Sequence, residues 1–320
     1  MEIPNSPGTE NQLMSVFFPP KPEEPVRPKK NVFVQFIISL LVFGAAWYFL
    51  INKNIELIIW IVVILIIHEL GHYLAMKIFK YEDLAIFFIP LLGAAARGSK
   101  EKASQKEKAI VLLAGPIPGI VIGIILFFLT DQTAGLLPTW LPYAFVLVNM
   151  FNLLPIYPLD GGQLFRTLFM PDRDILSFIF LLLSMLLVTW YAIDNKDWIL
   201  LLISFSLLVR LVQMNMLNKL RRRLDELGIN FRKTYSALTD EEYWRIRDEM
   251  SANPSFGKYI VPGDYEVSEK EGGIINFIKQ VLKIDPIKDL SAGAIILILA
   301  LWIAGIAVPF LLMDRIWNIL

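Results

Sequence analysis

Residues 61–79 read IVVILIIHELGHYLAMKIF. Seven apolar residues lead into His68, and Glu69 and His72 follow before the chain turns apolar again. Ionisable groups at membrane depth are costly and mark functional sites by default. On a helix, positions i and i+4 share a face, so His68 and His72 direct two imidazoles at one point, and Glu69 lies between them. Neutral imidazole is a good zinc ligand, and a glutamate directly after the first histidine is placed to reach a metal-bound water. The bland alternative is a pair of core histidines bonded to neighbouring helices. Two histidines scattered over such a chain fall four apart in about 0.6% of cases. Requiring Glu after the first, at about one residue in twenty, leaves a few chances in ten thousand, which favours the metal site.

The whole chain has the composition for that setting. Of 320 residues, 56% are hydrophobic and 19% charged, well outside the range of soluble domains. Formal net charge is zero, so no global electrostatic argument for nucleic acid exists. Cysteine is absent, which excludes disulfides, thiolate ligands and a cysteine nucleophile.

Hydrocarbon about 30 Å thick takes roughly 20 apolar residues to cross. Stretches of that kind lie near 32–52, 55–78, 108–130, 137–157, 174–193, 197–217 and 291–313. Residues 1–31, rich in Pro, Glu and Lys, read as a disordered or extended arm without a removable signal peptide. Lys29 and Lys30 precede the first stretch. Lys80, Arg97, Lys100, Lys102, Lys106 and Lys108 follow the second, Arg166 and Arg173 the fourth, and KLRRR the sixth. With the amino terminus inside, these basic loops all fall on one side, as the positive-inside rule requires. The expected fold is an all-α polytopic membrane protein. It has about seven transmembrane helices, with an amino-terminal arm and a small segment, 218–290, both cytoplasmic. Within 218–290, Thr239 and Glu242 spell a capping box. Ile274, Phe277, Ile278, Val281 and Leu282 stripe one helical face, set either on the membrane surface or within its own domain. Residues 84–98, LAIFFIPLLGAAARG, are apolar but too short to cross. A re-entrant hairpin and a buried loop or interfacial helix are equal readings of them.

Catalytic zinc takes three protein ligands and an open position. With no third histidine and no cysteine, the remaining ligand is Asp or Glu, and Asp160 in NMFNLLPIYPLDGGQLF (149–165) supplies it. The second and fourth stretches run in the same direction, which brings His68, His72 and Asp160 toward the cytoplasmic leaflet. Pro155 and Pro158 break the helix beside Asp160, and Gly161 and Gly162 permit unusual backbone there.

HELGH followed by NLLPIYPLDGG resembles the site-2 protease family of intramembrane zinc metalloproteases, and LLAGPIPGIVIG (112–123) resembles its third core helix. The resemblance spans about residues 55–170 and implies a three-helix catalytic core there. It implies one Zn2+ held by His68, His72 and Asp160, with Glu69 and Asn152 as catalytic residues, Asn152 holding the substrate or the developing oxyanion. The implied activity is hydrolysis of peptide bonds in or near transmembrane segments of membrane-protein substrates, by metal-activated water with Glu69 as general base. A transmembrane helix satisfies its own amides, so the expected substrate segment is unwound, and residues 84–98 are the candidate for the strand edge that would hold it. Many members carry a proline where this chain has Tyr157. The simplest host is a prokaryotic cell membrane. Two rivals stand: another membrane zincin whose third ligand is a glutamate, and a catalytically inactive metal-binding scaffold or transporter.

Overall fold

The computed structural model describes residues 18–25, 31–90, 93–129, 137–253, 256–284 and 286–317. The remaining parts of the expected arm (1–17 and 26–30, with Lys29 and Lys30), the centre of LAIFFIPLLGAAARG at 91–92 and the connection 130–136 lie outside the described residues, as do 254–255, 285 and 318–320. Two compact units result. One comprises Arg27–Asn218 with Ile284–Leu320, the other Met1–Val26 with Lys219–Lys283.

The larger unit is built from apolar helices. In order these are α1 Val32–Leu50, α2 Ile55–Ile78, a hairpin of strands β1 Glu82–Ile89 and β2 Gly93–Ser99, α3 Gln105–Ala114, α4 Pro116–Phe128, α5 Leu141–Asn152, α6 Asp160–Phe169, α7 Asp174–Asp194, α8 Trp198–Glu226 (its end assigned to the other unit) and, after the smaller unit's own helices, one last helix. Asn31 and Asn54 cap α1 and α2 through their side-chain oxygens. A capping box of Ser104 and Glu107 starts α3.

Six helices among the described residues are long and apolar enough to cross a membrane, against about seven expected. The stretch 137–157 accounts for the difference. It is helical only over the 12 residues of α5, about 18 Å of rise. The chain leaves the helix at Leu153, ahead of Pro155 and Pro158, neither of which can donate an amide to continue it. The expected third stretch is counted among the six as Gln105–Phe128, with α3 and α4 running on through Gly115.

The fold also departs from an all-α one. Strands Glu82–Ile89 and Gly93–Ser99 pair antiparallel, Ile86 opposite Ala96 and Phe88 opposite Ala94. The outer edge of β1 is covered by α1. The Phe88 amide donates to Ser39 Oγ at 3.0 Å, and Phe43 packs on Phe88 with ring centroids 5.3 Å apart.

Gly161 and Gly162 lie inside α6 without the left-handed backbone that glycine makes available. Their use is close approach, since a Cβ on Gly161 would overlap the Leu153 carbonyl and one on Gly162 the Ile156 carbonyl.

The smaller unit holds α9 Asp240–Glu249 and α10 Glu271–Val281. The Thr239–Glu242 capping box is made in both directions, and the stripe Ile274, Phe277, Ile278, Val281, Leu282 is buried. Arg247, 2% exposed, pairs with Glu271 through Nε at 3.1 Å, and the Tyr243 hydroxyl and Ser268 amide also donate to that carboxylate. Burial alone would raise the Glu271 carboxyl. These donors instead hold it below its ordinary range, while burial and the facing carboxylate push the Tyr243 phenol up. Residues 18–25, expected to be disordered or extended, lie extended and hydrogen-bonded to this unit.

The last helix, α11 Ala292–Trp317, closes the core of the larger unit, where Leu113, Ile120, Leu153, Leu164, Ile298 and Trp302 are buried together. Trp302 Nε1 donates to the Leu153 carbonyl at 2.7 Å, in the break after α5. Trp302→Phe keeps the ring packing and removes this bond. It should cost about 1–2 kcal/mol and lower the thermal midpoint of the protein in detergent. An unchanged midpoint would mean that the break is held by packing alone.

Candidate metal centre

Helix α2 sets two ligand candidates one turn apart, and the break before α6 delivers the third. His68, His72 and Asp160 are 3%, 7% and 9% exposed. Three atoms converge: His68 Nε2 and His72 Nε2 lie 3.1 Å apart, and Asp160 Oδ2 lies 3.1 Å from the first and 3.2 Å from the second.

The tautomers follow from the surroundings. His68 Nδ1 lies 2.8 Å from Asn149 Oδ1, and the orientation of that amide is fixed because its Nδ2 donates to the Phe145 carbonyl at 2.7 Å. The amide oxygen can only accept, so His68 Nδ1 carries the hydrogen. His72 Nδ1 faces the Val111 carbonyl at 2.8 Å and donates for the same reason. Each neutral ring therefore turns an unprotonated Nε2 inward, beside a carboxylate oxygen.

With both rings neutral, these three acceptors within 3.2 Å of one another hold no hydrogen among them and repel unless a cation is shared. The spacing suits zinc. Tetrahedral ligands at about 2.0–2.1 Å from the ion are separated from one another by about 3.3 Å. Among the described residues, these are the three His, Asp or Glu side chains that gather in this way. The donor set of two nitrogens and one oxygen fits a catalytic rather than a closed structural site.

Two helices press close to hold the rings. Helix α3 gives way to α4 at Gly115, where a Cβ would land on the His72 imidazole, and a Cβ on Gly119 of α4 would collide with the Asn149 amide. Side chains at either position would push the helix off the site.

The other expected residues are placed differently. Glu69 is 5% exposed, and its carboxylate faces the backbone amide of Ala96 on β2. The hairpin register explains this contact. The Phe88 amide points out to Ser39, so the Phe88–Ala94 pair is not hydrogen-bonded across the strands, and neither is Ile86–Ala96 two residues along. The Ala96 amide therefore points away from β1, toward α2. Asn152 is half-buried, and its Nδ2 donates to the Val148 carbonyl at 3.0 Å, not to the triad. Tyr157, standing where many site-2 proteases have proline, uses an amide that proline lacks, donating to Ser184 Oγ at 3.1 Å. Arg210 extends over the Tyr157 ring at 4.9 Å.

Asn149 is the residue that the sequence reading missed. Its signal was an amide in the apolar run AFVLVNMFN, on the same helix as Asn152.

Residues 56–138 match Peptidase family M50. The matched residues include HELGH and end before PLDGG, and the match agrees with the resemblance drawn from the sequence. The chain is similar to stage IV sporulation protein FB of Bacillus subtilis, 27% identical over 145 residues, covering 43% of this chain and 50% of that protein. It is also similar to a zinc metalloprotease of Methanocaldococcus jannaschii, 30% identical over 119 residues, covering 35% of this chain and 34% of the other. The chain thus spans half or less of the length of these relatives. A solved site-2 protease from M. jannaschii overlays with a TM-score of 0.42 at 22% identity, over 57% of this chain and 88% of that one.

Asn149→Leu keeps the volume and removes the acceptor that orients His68. Zinc affinity should fall about 10–100-fold, measured by competition with a chelator. Unchanged affinity would mean that the Nδ1 partner does not orient the ring.

Proposed function

We propose that the protein is an intramembrane zinc metalloprotease of the site-2 type, cutting peptide bonds in or near transmembrane segments of membrane-protein substrates. The observation that carries this is the trio of inward-facing acceptors, His68 Nε2, His72 Nε2 and Asp160 Oδ2, set in the apolar helices of a chain with a Peptidase family M50 segment. The three residues would hold one Zn2+, which when bound supplies Lewis-acid polarisation of the scissile carbonyl and acidifies water.

The chain's own groups then have separate tasks. Glu69, buried beside the first ligand, accepts the proton of the attacking water and delivers it to the leaving amine. The Asn149 and Val111 acceptors keep Nδ1 protonated, so neither imidazole competes for that proton. Asn152 turns its amide from Val148 toward the substrate backbone or the oxyanion. A transmembrane helix satisfies its own amides and shields its bonds, so the substrate binds where its helix unwinds. The outward edge of β2 receives the extended strand, because GAAARGS (93–99) is a low ridge of mostly small side chains that runs past Glu69. The basic connections support an active site toward the cytoplasmic leaflet, with the amino terminus and residues 218–290 on that side. A prokaryotic cell membrane is the proposed host. The rival scaffold or transporter has no use for a buried carboxylate beside the first ligand.

Two experiments test the proposal. Purified wild type should contain about one zinc and cut a helix-destabilised transmembrane substrate, and Glu69→Gln should keep zinc and lose at least about 100-fold in rate. Zinc in both with cleavage by neither would favour the scaffold. Separately, Ala94→Pro removes an outward amide of β2 other than the one that faces Glu69. Cleavage should fall about tenfold or more with zinc content unchanged. If zinc is lost too, the hairpin is structural and not a substrate edge.

A further inference from the structure

The amino-terminal residues 18–25, FPPKPEEP, make a different kind of contact from anything at the metal centre. Each proline fixes its own φ and biases the preceding residue toward extended backbone, so this run favours the polyproline II helix of three residues per turn. Its contacts repeat with that period. Trp244 Nε1 donates to the Pro19 carbonyl at 2.7 Å, and the Tyr235 hydroxyl donates to the Pro22 carbonyl, also at 2.7 Å. Pro19 and Pro22 are half-buried, whereas Pro20 and Glu23 are exposed.

Between the two prolines, Lys21 is read along its length. Its amide donates to Asp240 Oδ1 at 2.9 Å. Its ammonium donates to the carbonyls of Tyr235, Ser236 and Leu238 at 2.9, 3.0 and 2.5 Å, and lies 5.3 Å from the centre of the Tyr235 ring. Phe18 packs on Tyr265 at 4.9 Å between centroids, and Glu24 pairs with Lys279 at 2.5 Å. Beneath these residues, the Trp244 ring lies 5.1 Å from the Arg247 guanidinium, which pairs with buried Glu271.

Aromatic side chains whose N–H and O–H groups take proline carbonyls one polyproline turn apart are the chemistry by which proline-rich peptides are recognised. The segment's own side chains stay half-buried or exposed while Trp244 and Tyr235 beneath it are 0% and 5% exposed, so the prolines cover the aromatic groups and do not themselves fill a core. We propose that the unit formed by residues 219–283 is a binding module for polyproline II segments with a lysine between two prolines and an acid after them. Residues 18–25 are its resident, displaceable ligand, and the incoming ligand is a proline-rich segment of another protein. This holds whether or not the metal centre cuts peptides. A tethered ligand competes at an effective concentration of about millimolar, so the resident segment keeps weak competitors out and admits only those that are abundant or bind better.

The test uses the full chain in nanodiscs and a fluorescein-labelled peptide of sequence FPPKPEEP, followed by anisotropy. In a chain carrying Pro19→Gly, Lys21→Ala and Pro22→Gly the resident ligand is disabled, and the peptide should bind at least about tenfold more tightly than to wild type. Adding Trp244→Phe to that chain, which removes one donor but keeps a ring, should weaken binding about fivefold or more. Hydrogen exchange over residues 219–283 is measured in parallel. If exchange is unchanged and the peptide does not bind the opened chain, the module reading is overturned. If the opened chain loses protection throughout 219–283, the segment is part of the fold and the reading fails equally. Wild-type dimers abolished by Lys21→Ala would assign the groove to the arm of a second copy, which also overturns recognition of another protein.

Discussion

Three acceptor atoms forced within 3.2 Å of one another are the constraint around which the larger unit is organised. Left alone they repel. What holds them is the pair of carbonyl-type acceptors behind the rings, Asn149 Oδ1 and Val111 O, which claim the Nδ1 hydrogens and fix both imidazoles with lone pairs inward. Such an arrangement stores an affinity for a cation before any cation arrives. A pair of neutral histidines that was merely core packing would have one ring donating to the other, and the Nδ1 partners deny neutral rings that option.

The helix breaks follow from the same demand. Helix α2 alone offers only one face, so a third ligand has to come from a chain that turns toward it, and a regular span through residues 137–157 would carry Asp160 past the site. Ending α5 at Asn152 and starting α6 at Asp160 supplies the turn. The cost is a run of backbone groups without a helix, part of which Trp302 on α11 and Ser184 on α7 relieve by bonding Leu153 O and the Tyr157 amide. Gly115, Gly119, Gly161 and Gly162 recur wherever backbone must come within a methyl group's reach of that centre or of the turn that serves it.

This division explains what sequence could and could not tell. His68, Glu69, His72 and Asp160 were legible because their chemistry is rare at hydrocarbon depth and the i, i+4 spacing is local. The capping box at Thr239 and the stripe on α10 were legible for the same reason, being set within two or three turns. The short α5 was not, because hydropathy measures oiliness and is blind to where a helix stops. Residues 82–99 lack the alternation of a half-buried strand, since β2 is a run of small residues, so hairpin and loop looked alike. Asn149 and Trp302 act over 81 and 149 positions of sequence, where no periodicity reaches.

The hairpin joins these threads. One of its edges is closed by Ser39 and Phe43 of α1, and the register then dictates which amides of β2 face the other way. A slip of one residue would turn the Ala96 amide back toward β1 and away from Glu69. The contact between the buried carboxylate and the strand is therefore set by packing on the far side of the hairpin, at a serine in the first helix. On the proposed mechanism, the base and the strand that receives the substrate are held in one hydrogen-bonded frame, and α1 belongs to that frame without touching the metal ligands. Substrates would then be selected by whether their helix can open into a strand, since a ridge of glycine and alanine offers almost no side-chain pockets to read.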